Sequence, residues 1–281
     1  MTYKIISDSS SNVYSFPNID YKSVPLKIIT ATTEYVDDAE LDVERMVNEI
    51  RDTKGKSGTS CPNVNDWLEA FGDADIVFAI TITSKLSGSY ASAIEAAKIY
   101  EENKPGAKVF VVDSLSTGPE MHLIIEHISD LMLKEASFEE IRDSVIEYAD
   151  HSHLIFSLQS LTNLARNGRV SPAVAKIAGV LGIRVMGAAT EGVLDPLHKV
   201  RGEAKTLDVM FDEMKKRGFD NGKVRIAHCL NLESAEIIRD KILSEFPKSD
   251  IIIEENGGLC SFYAERGGLL IGFEGKSKKE I

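Results

Sequence analysis

The chain has 281 residues, 43% hydrophobic and 27% charged, a balance that fills cores and excludes a largely disordered protein. Its 32 Lys and Arg against 44 Asp and Glu leave a formal charge of −12, which repels phosphate backbones and anionic lipid and argues against nucleic-acid binding. No run reaches the ~20 apolar residues of a bilayer span, no basic-then-apolar leader opens the chain, and Cys61, Cys229 and Cys260 lack metal-ligand spacing, so the expectation is a cytoplasmic protein with isolated thiols, no metal and no integral membrane segment.

Residues 3–7 read as a first strand, ending in the polar run Asp8-Ser9-Ser10-Ser11, and residues 23–30 as a second. Residues 41–53 read as a helix, with Leu41, Met46 and Ile50 among its apolar positions, and a short helix with Trp67 and Leu68 follows Pro62. Residues 75–80 form a continuous apolar run of buried-strand character. A helix over 86–100, a strand over 108–112 and a helix over 120–133 follow. Strand, crossover helix, strand is the pattern of a parallel sheet. Residues 137–149 open with a capping box, because Ser137 and Glu140 stand three apart and each can satisfy a free amide of the first turn.

The second half changes character. A strand over 154–157 leads to a short helix over 161–167, stopped by Gly168, and Ser171-Pro172 signals another helix start. Residues 183–188 and 193–199 flank Glu191-Gly192 as a hairpin, which predicts a mixed sheet. Helices near 203–217 and 232–246, with strands over 224–229, 251–255 and 269–273, complete the pattern. The tail over 276–281 is too polar to demand a fold. The predicted architecture is two-domain α/β: residues 1–155 carry a largely parallel sheet with flanking helices, and residues 156–281 a mixed α/β domain.

Four hydroxyl-rich segments follow apolar runs: Asp8-Ser9-Ser10-Ser11, Gly58-Thr59-Ser60-Cys61-Pro62, the run from Thr83 to Tyr90, and Asp113-Ser114. The carboxyl ends of parallel strands face a crevice where ligands sit, and hydroxyls with free amides there suit a carboxylate or phosphate. Each segment also reads as ordinary turn and cap residues. A reactive serine needs a base, and none of His122, His127, His151, His153, His198 and His228 is tied to Ser84–Tyr90 by sequence. Ala91 stands where the second glycine of a nucleophile elbow would be, and no phosphate-loop spacing occurs. His151-x-His153 offers two metal ligands and no third. In Asn167-Gly168-Arg169-Val170-Ser171-Pro172, Arg169 sits in a short joint between helices, either facing solvent or pairing with an anion from a ligand or partner. These segments leave open an enzyme acting on a small carboxylated or phosphorylated metabolite, with Asp8, Asp113 and Arg169 as its polar groups.

Taken in order, the motifs resemble the DegV family over essentially the whole chain. Ser7-Asp8-Ser9 is similar to its Thr-Asp-Ser start, and Val24-Pro25-Leu26 to its early strand. Thr59-Ser60-Cys61-Pro62 resembles Thr-Ser-x-Pro, and the run from Thr83 to Tyr90 resembles Ser-Ser-x-Leu-Ser-Gly-Thr-Tyr. Gly168-Arg169-Val170-Ser171 resembles Gly-Arg-Ile-Ser. The resemblance implies a long-chain (C14–C18) fatty acid held in a tunnel, with no cofactor. It implies a carboxylate bound by Thr59 and Ser84, with Ser60 and Ser87 beside them. It also implies delivery of the bound acid to a separate fatty-acid kinase that phosphorylates it, which makes this chain a carrier and not the catalyst. Arg169 then faces the partner or the acyl-phosphate end. Two positions depart from the family pattern: Tyr263 stands where the family often has a histidine, and Asn167 replaces a glycine. On this reading the acyl chain supplies most of the affinity, since each buried CH₂ contributes roughly 0.8 kcal/mol and a C16 chain about 10 kcal/mol before ordering costs.

Overall fold

A computed structural model of the chain describes residues 1–52, 55–171 and 182–281. The first sheet holds β1 (Tyr3–Asp8), β2 (Tyr21–Val24), β6 (Ile76–Thr81) and β7 (Lys108–Asp113) in the order β2-β1-β6-β7, every pairing parallel. Strand β6 is buried at every residue, as its unbroken apolar run requires. Val77 and Ala79 pack with Trp67 and Phe71 of α2 (Val64–Phe71) and Ala93 of α3 (Ser89–Asn103). Phe78 and Ile80 pack on the other face with Ile124 and Ile128 of α4 (Pro119–Leu133) and Ile141 of α5 (Phe138–His151). The capping box at the start of α5 forms as predicted: Ser137 N donates to Glu140 Oε2 at 2.8 Å, and Glu140 N donates to Ser137 Oγ at 3.3 Å.

The second sheet has six strands: β8 (Ser152–Leu158), β9 (Ile183–Thr190), β10 (Val193–Arg201), β11 (Lys223–His228), β12 (Asp250–Glu255) and β13 (Leu269–Glu274). Their order is β10-β9-β8-β13-β11-β12, antiparallel throughout except for the parallel β11–β12 pair. The hairpin turns on Glu191 at φ +49° and Gly192 at φ +84°, two successive left-handed residues of the kind tight hairpins use. Two helices, α7 (Glu203–Lys216) and α8 (Leu232–Glu245), cover one face of this sheet. The chain joins the second sheet at Ser152, so a division between 155 and 156 falls inside β8.

The two sheets are not separate bodies. Helix α4 lies against β13, where a Cβ on Gly272 would come within 2.6 Å of Glu120 N, so only glycine admits the helix there. Arg225 of β11 grips Glu126 of α4 with two hydrogen bonds of 2.8 Å. Both side chains are largely buried, and the paired geometry is what makes a buried ion pair tolerable.

Several expectations are corrected. Residues 23–30 do not form one strand. Pro25, which has no amide to donate, separates β2 from β3 (Lys27–Ile29), and the latter joins a small antiparallel sheet. That sheet, in the order β4-β3-β5, adds β4 (Glu34–Val36) and β5 (Gly58–Ser60), neither of which the sequence reading anticipated. A short helix, α9 (Gly258–Ala264), was also missed. The tail is folded: Lys276 N donates to Arg217 O at 2.9 Å, and Lys278 Nζ reaches the buried Glu120 at 2.8 Å. Helix α1 is Val43–Asp52 and α6 is Thr162–Arg166, after which Gly168 takes φ +72°. The last predicted residue of α1, Thr53, and the helix start at Pro172 lie outside the described residues. Among the described residues no helix is long and apolar enough to cross a membrane, and no His, Cys, Asp or Glu cluster could hold a metal ion.

Candidate functional site

A cavity of about 280 Å³ opens between the inner face of the second sheet and the strand ends of the first. Alternation along β8 builds its wall. Leu154, Phe156 and Leu158 face the cavity, while Ile155 faces the core under α7 and α8. Leu270 of β13 and Leu194 of β10 extend the wall. Leu26, Ile82 and Leu86 close it from the first sheet's side, and Leu259 and Ala264 of α9 complete it.

The polar lining is small and gathered. Thr59 on β5 and Tyr263 on α9 share a hydrogen bond of 2.8 Å between hydroxyls. The Arg169 guanidinium stands 5.7 Å from the centre of the Tyr263 ring, within cation–π range. Its Nε donates to Leu86 O at 3.3 Å and its Nη1 to Asn167 O at 2.8 Å. Among the described residues no carboxylate pairs with Arg169, so its charge remains available to an anion. Burial raises the Tyr263 phenol above its ordinary value, so it stays a neutral hydroxyl. Ser60, Ser87, Cys61 and Thr117 also line the cavity. Ser87 Oγ accepts from Ser89 N at 3.2 Å, which leaves its own proton to donate elsewhere.

The predicted residues divide unequally. Thr59, Ser60, Ser87, Arg169 and Tyr263 all border the cavity, and Ser84 does not. Ser84 is exposed, and its amide donates to Asp113 Oδ1 at 3.0 Å, so the turn after β6 swings outward there and returns at Ser87. Two of the four hydroxyl-rich segments reach the cavity. The other two are internal wiring. Asp8 is fully buried, and burial pushes its carboxyl up to about 6 against the pull of its hydrogen bonds with Ser10, Ser89 and Ile82. Asp113 Oδ1 also accepts from Leu115 N at 3.2 Å, which holds a surface turn.

Asp37 was not anticipated. It accepts from Ser9 Oγ at 2.8 Å, Tyr14 OH at 2.7 Å, Gly258 N at 2.6 Å and Leu259 N at 3.0 Å. A buried carboxylate thus caps α9, the helix that carries Tyr263. The sequence signal for this role was weak: an aspartate far along the chain from a glycine pair.

Among the described residues no lining residue is a histidine, so none of them sets an imidazole base beside the cavity's hydroxyls. What the site can do is hold an apolar chain along the leucine wall and meet an anionic oxygen pair with hydroxyls and a guanidinium.

Comparison with known proteins places the chain. A family model described as an uncharacterised protein of the DegV family matches residues 2–276. The chain belongs to the DegV family. A DegV domain-containing protein of Streptococcus pneumoniae (strain ATCC BAA-255 / R6) is 40% identical over 279 residues, covering 98% of this chain and 99% of the relative. A crystal structure of a DegV family protein from Eubacterium eligens, loaded with heptadecanoic acid, superposes with a TM-score of 0.96 at 42% identity, over 98% of this chain and 100% of that one. The Fatty Acid Kinase (Fak) B3 protein of Streptococcus pneumoniae, loaded with linoleic acid, gives a TM-score of 0.96 at 40% identity with the same coverage. The resemblance carried by the sequence motifs is therefore a family membership, and the two solved relatives are loaded with long-chain fatty acids.

Proposed function

We propose that this chain binds one long-chain fatty acid and presents its carboxylate to a separate fatty-acid kinase. The acyl chain lies along Leu154, Phe156, Leu158 and Leu270. The carboxylate meets Thr59 and Ser87, with Ser60 at the edge and Tyr263 and Arg169 completing the polar end. Ser84 has no place in this set. The observation that carries the reading is an apolar cavity with its hydroxyls and the Arg169 guanidinium gathered together. The linoleic acid in the related Fak B3 protein, a component of a fatty acid kinase, supports the same ligand class and the same partner.

On this reading the chain is a cytoplasmic carrier, and the phosphoryl-transfer chemistry belongs to the kinase. Among the described residues the lining supplies donors and apolar surface without a histidine base, which suits binding better than turnover. The reading as an enzyme on a small metabolite loses its motive, because Asp8 and Asp113 already hold hydrogen bonds inside the fold.

Native mass spectrometry of purified protein tests the proposal. The expected result is a one-to-one adduct with a C14–C18 acid. Protein that is empty as isolated and still rejects added palmitate ends the case.

A further inference from the structure

The turn that carries Ser87 is anchored by a carboxylate that does not itself line the cavity. Asp8 is fully buried at the end of β1. It accepts from Ser10 N at 3.3 Å and from Ser10 Oγ within its own turn. Its Oδ2 accepts two further bonds, from the end of the neighbouring strand β6 and the start of α3: Ile82 N at 2.9 Å and Ser89 Oγ at 2.6 Å. Ile82 and Ser89 bracket the turn that lines the cavity with Leu86, Ser87 and Gly88. No cation among the described residues pairs with Asp8, so these donors alone compensate its buried charge.

We infer that Asp8 is a positioning residue for the carboxylate-binding hydroxyl of Ser87, acting through Ser89. The inference rests on the fatty-acid reading above. Its logic is geometric. Ser87 Oγ accepts from Ser89 N, which fixes where that oxygen sits and leaves its proton to donate to a ligand. The bond exists only while the first residue of α3 is held in register with the end of β6. Asp8 Oδ2 holds both ends of that span with one oxygen. Bonds to a buried anion are shorter and stiffer than neutral ones, and a hydroxyl displaced by a few tenths of an ångström or tens of degrees donates much more weakly.

Two variants test this in the full chain. Ser89→Ala removes the tie while Asp8 keeps Ile82 and Ser10. Asp8→Asn keeps the shape and replaces one acceptor oxygen with a donor. Calorimetry reads the affinity of each for palmitate and for methyl palmitate, which has the same chain and no anionic head. The expected result is about a tenfold loss for palmitate and less than about twofold for the ester. Equal losses for both ligands mean general damage and overturn the positioning role, as does no loss for either. Should Asp8→Asn fail to fold, Ser89→Ala decides alone. Wild-type protein that binds neither ligand sinks the fatty-acid reading itself. Wild-type protein that binds palmitate no better than Ser89→Ala sinks only the role of Asp8.

Discussion

Two serine-rich turns of this chain look alike in sequence and are used in opposite ways. The turn after β1 buries Ser9, Ser10 and Ser11 completely, and each of these hydroxyls bonds to the protein itself. The turn after β6 leaves Ser87 half-buried beside an apolar cavity, with only its lone pair engaged by the protein. Composition does not separate these cases. What separates them is whether another element fills the space in front of the hydroxyl. For Ser9 that element is Asp37, whereas Ser87 lines the cavity.

The largest expected effect breaks the wired side of this comparison. Asp37→Ala takes the acceptor from three buried donors and from the half-buried Tyr14 hydroxyl, and strips the cap from α9. We expect a loss of about 3–5 kcal/mol in folding stability, read as a lower midpoint in urea unfolding. A variant as stable as wild type contradicts the view that these side chains carry structure.

Asp8 sharpens the same side through pH. Its carboxyl titrates at about 6 in the fold against an ordinary value of 3.8, a raised value whose largest cause is burial. A raised carboxyl favours the fold fully below the unfolded value, and that contribution is lost as pH rises through the folded value. From the two values the change amounts to about 2.4 kcal/mol between pH 4 and pH 7. The urea midpoint of wild type should therefore carry a downward component across that window which is missing from Asp8→Asn.

The cavity side calls for smaller effects on binding and little on folding. Thr59→Ala should weaken palmitate binding by about 1–2 kcal/mol, the usual cost of a lost buried hydrogen bond, and should lower folding stability by at most about 1 kcal/mol through the broken bond to Tyr263. Arg169→Ala should weaken palmitate binding by about threefold to tenfold, because the guanidinium lines the polar end of the cavity, and should also slow kinase-dependent phosphorylation of the bound acid. Ser84→Ala should change neither affinity nor stability by more than about 0.5 kcal/mol. A measured loss at Ser84 equal to that at Thr59 would return Ser84 to the site and contradict the outward swing of its turn.

Much of the fold was legible along the chain. The apolar run at 75–80, the capping box at Ser137 and the Glu191-Gly192 hairpin are local signals, and each produced the element it announced, the first as β6. The three-residue strands β4 and β5 were not legible, because so short a run carries no period and gains its pairing from β3. The helix α9 was hidden for a related reason. It begins in a glycine pair and is held by Asp37, and nothing in residues 258–264 announces that cap.

The site divides along the same line. Sequence alone determined which segments carry hydroxyls, where Arg169 sits in its helix joint, and the family to which those motifs belong, since all three depend on residue identity and spacing. Only the tertiary structure decided that Ser87 and not Ser84 borders the cavity, that Tyr263 meets Thr59 across 204 positions of chain, and that Asp8 is wiring. The reason is physical. A hydroxyl's role is set by its nearest acceptor or void, and those neighbours arrive from strands and helices that the local sequence does not encode.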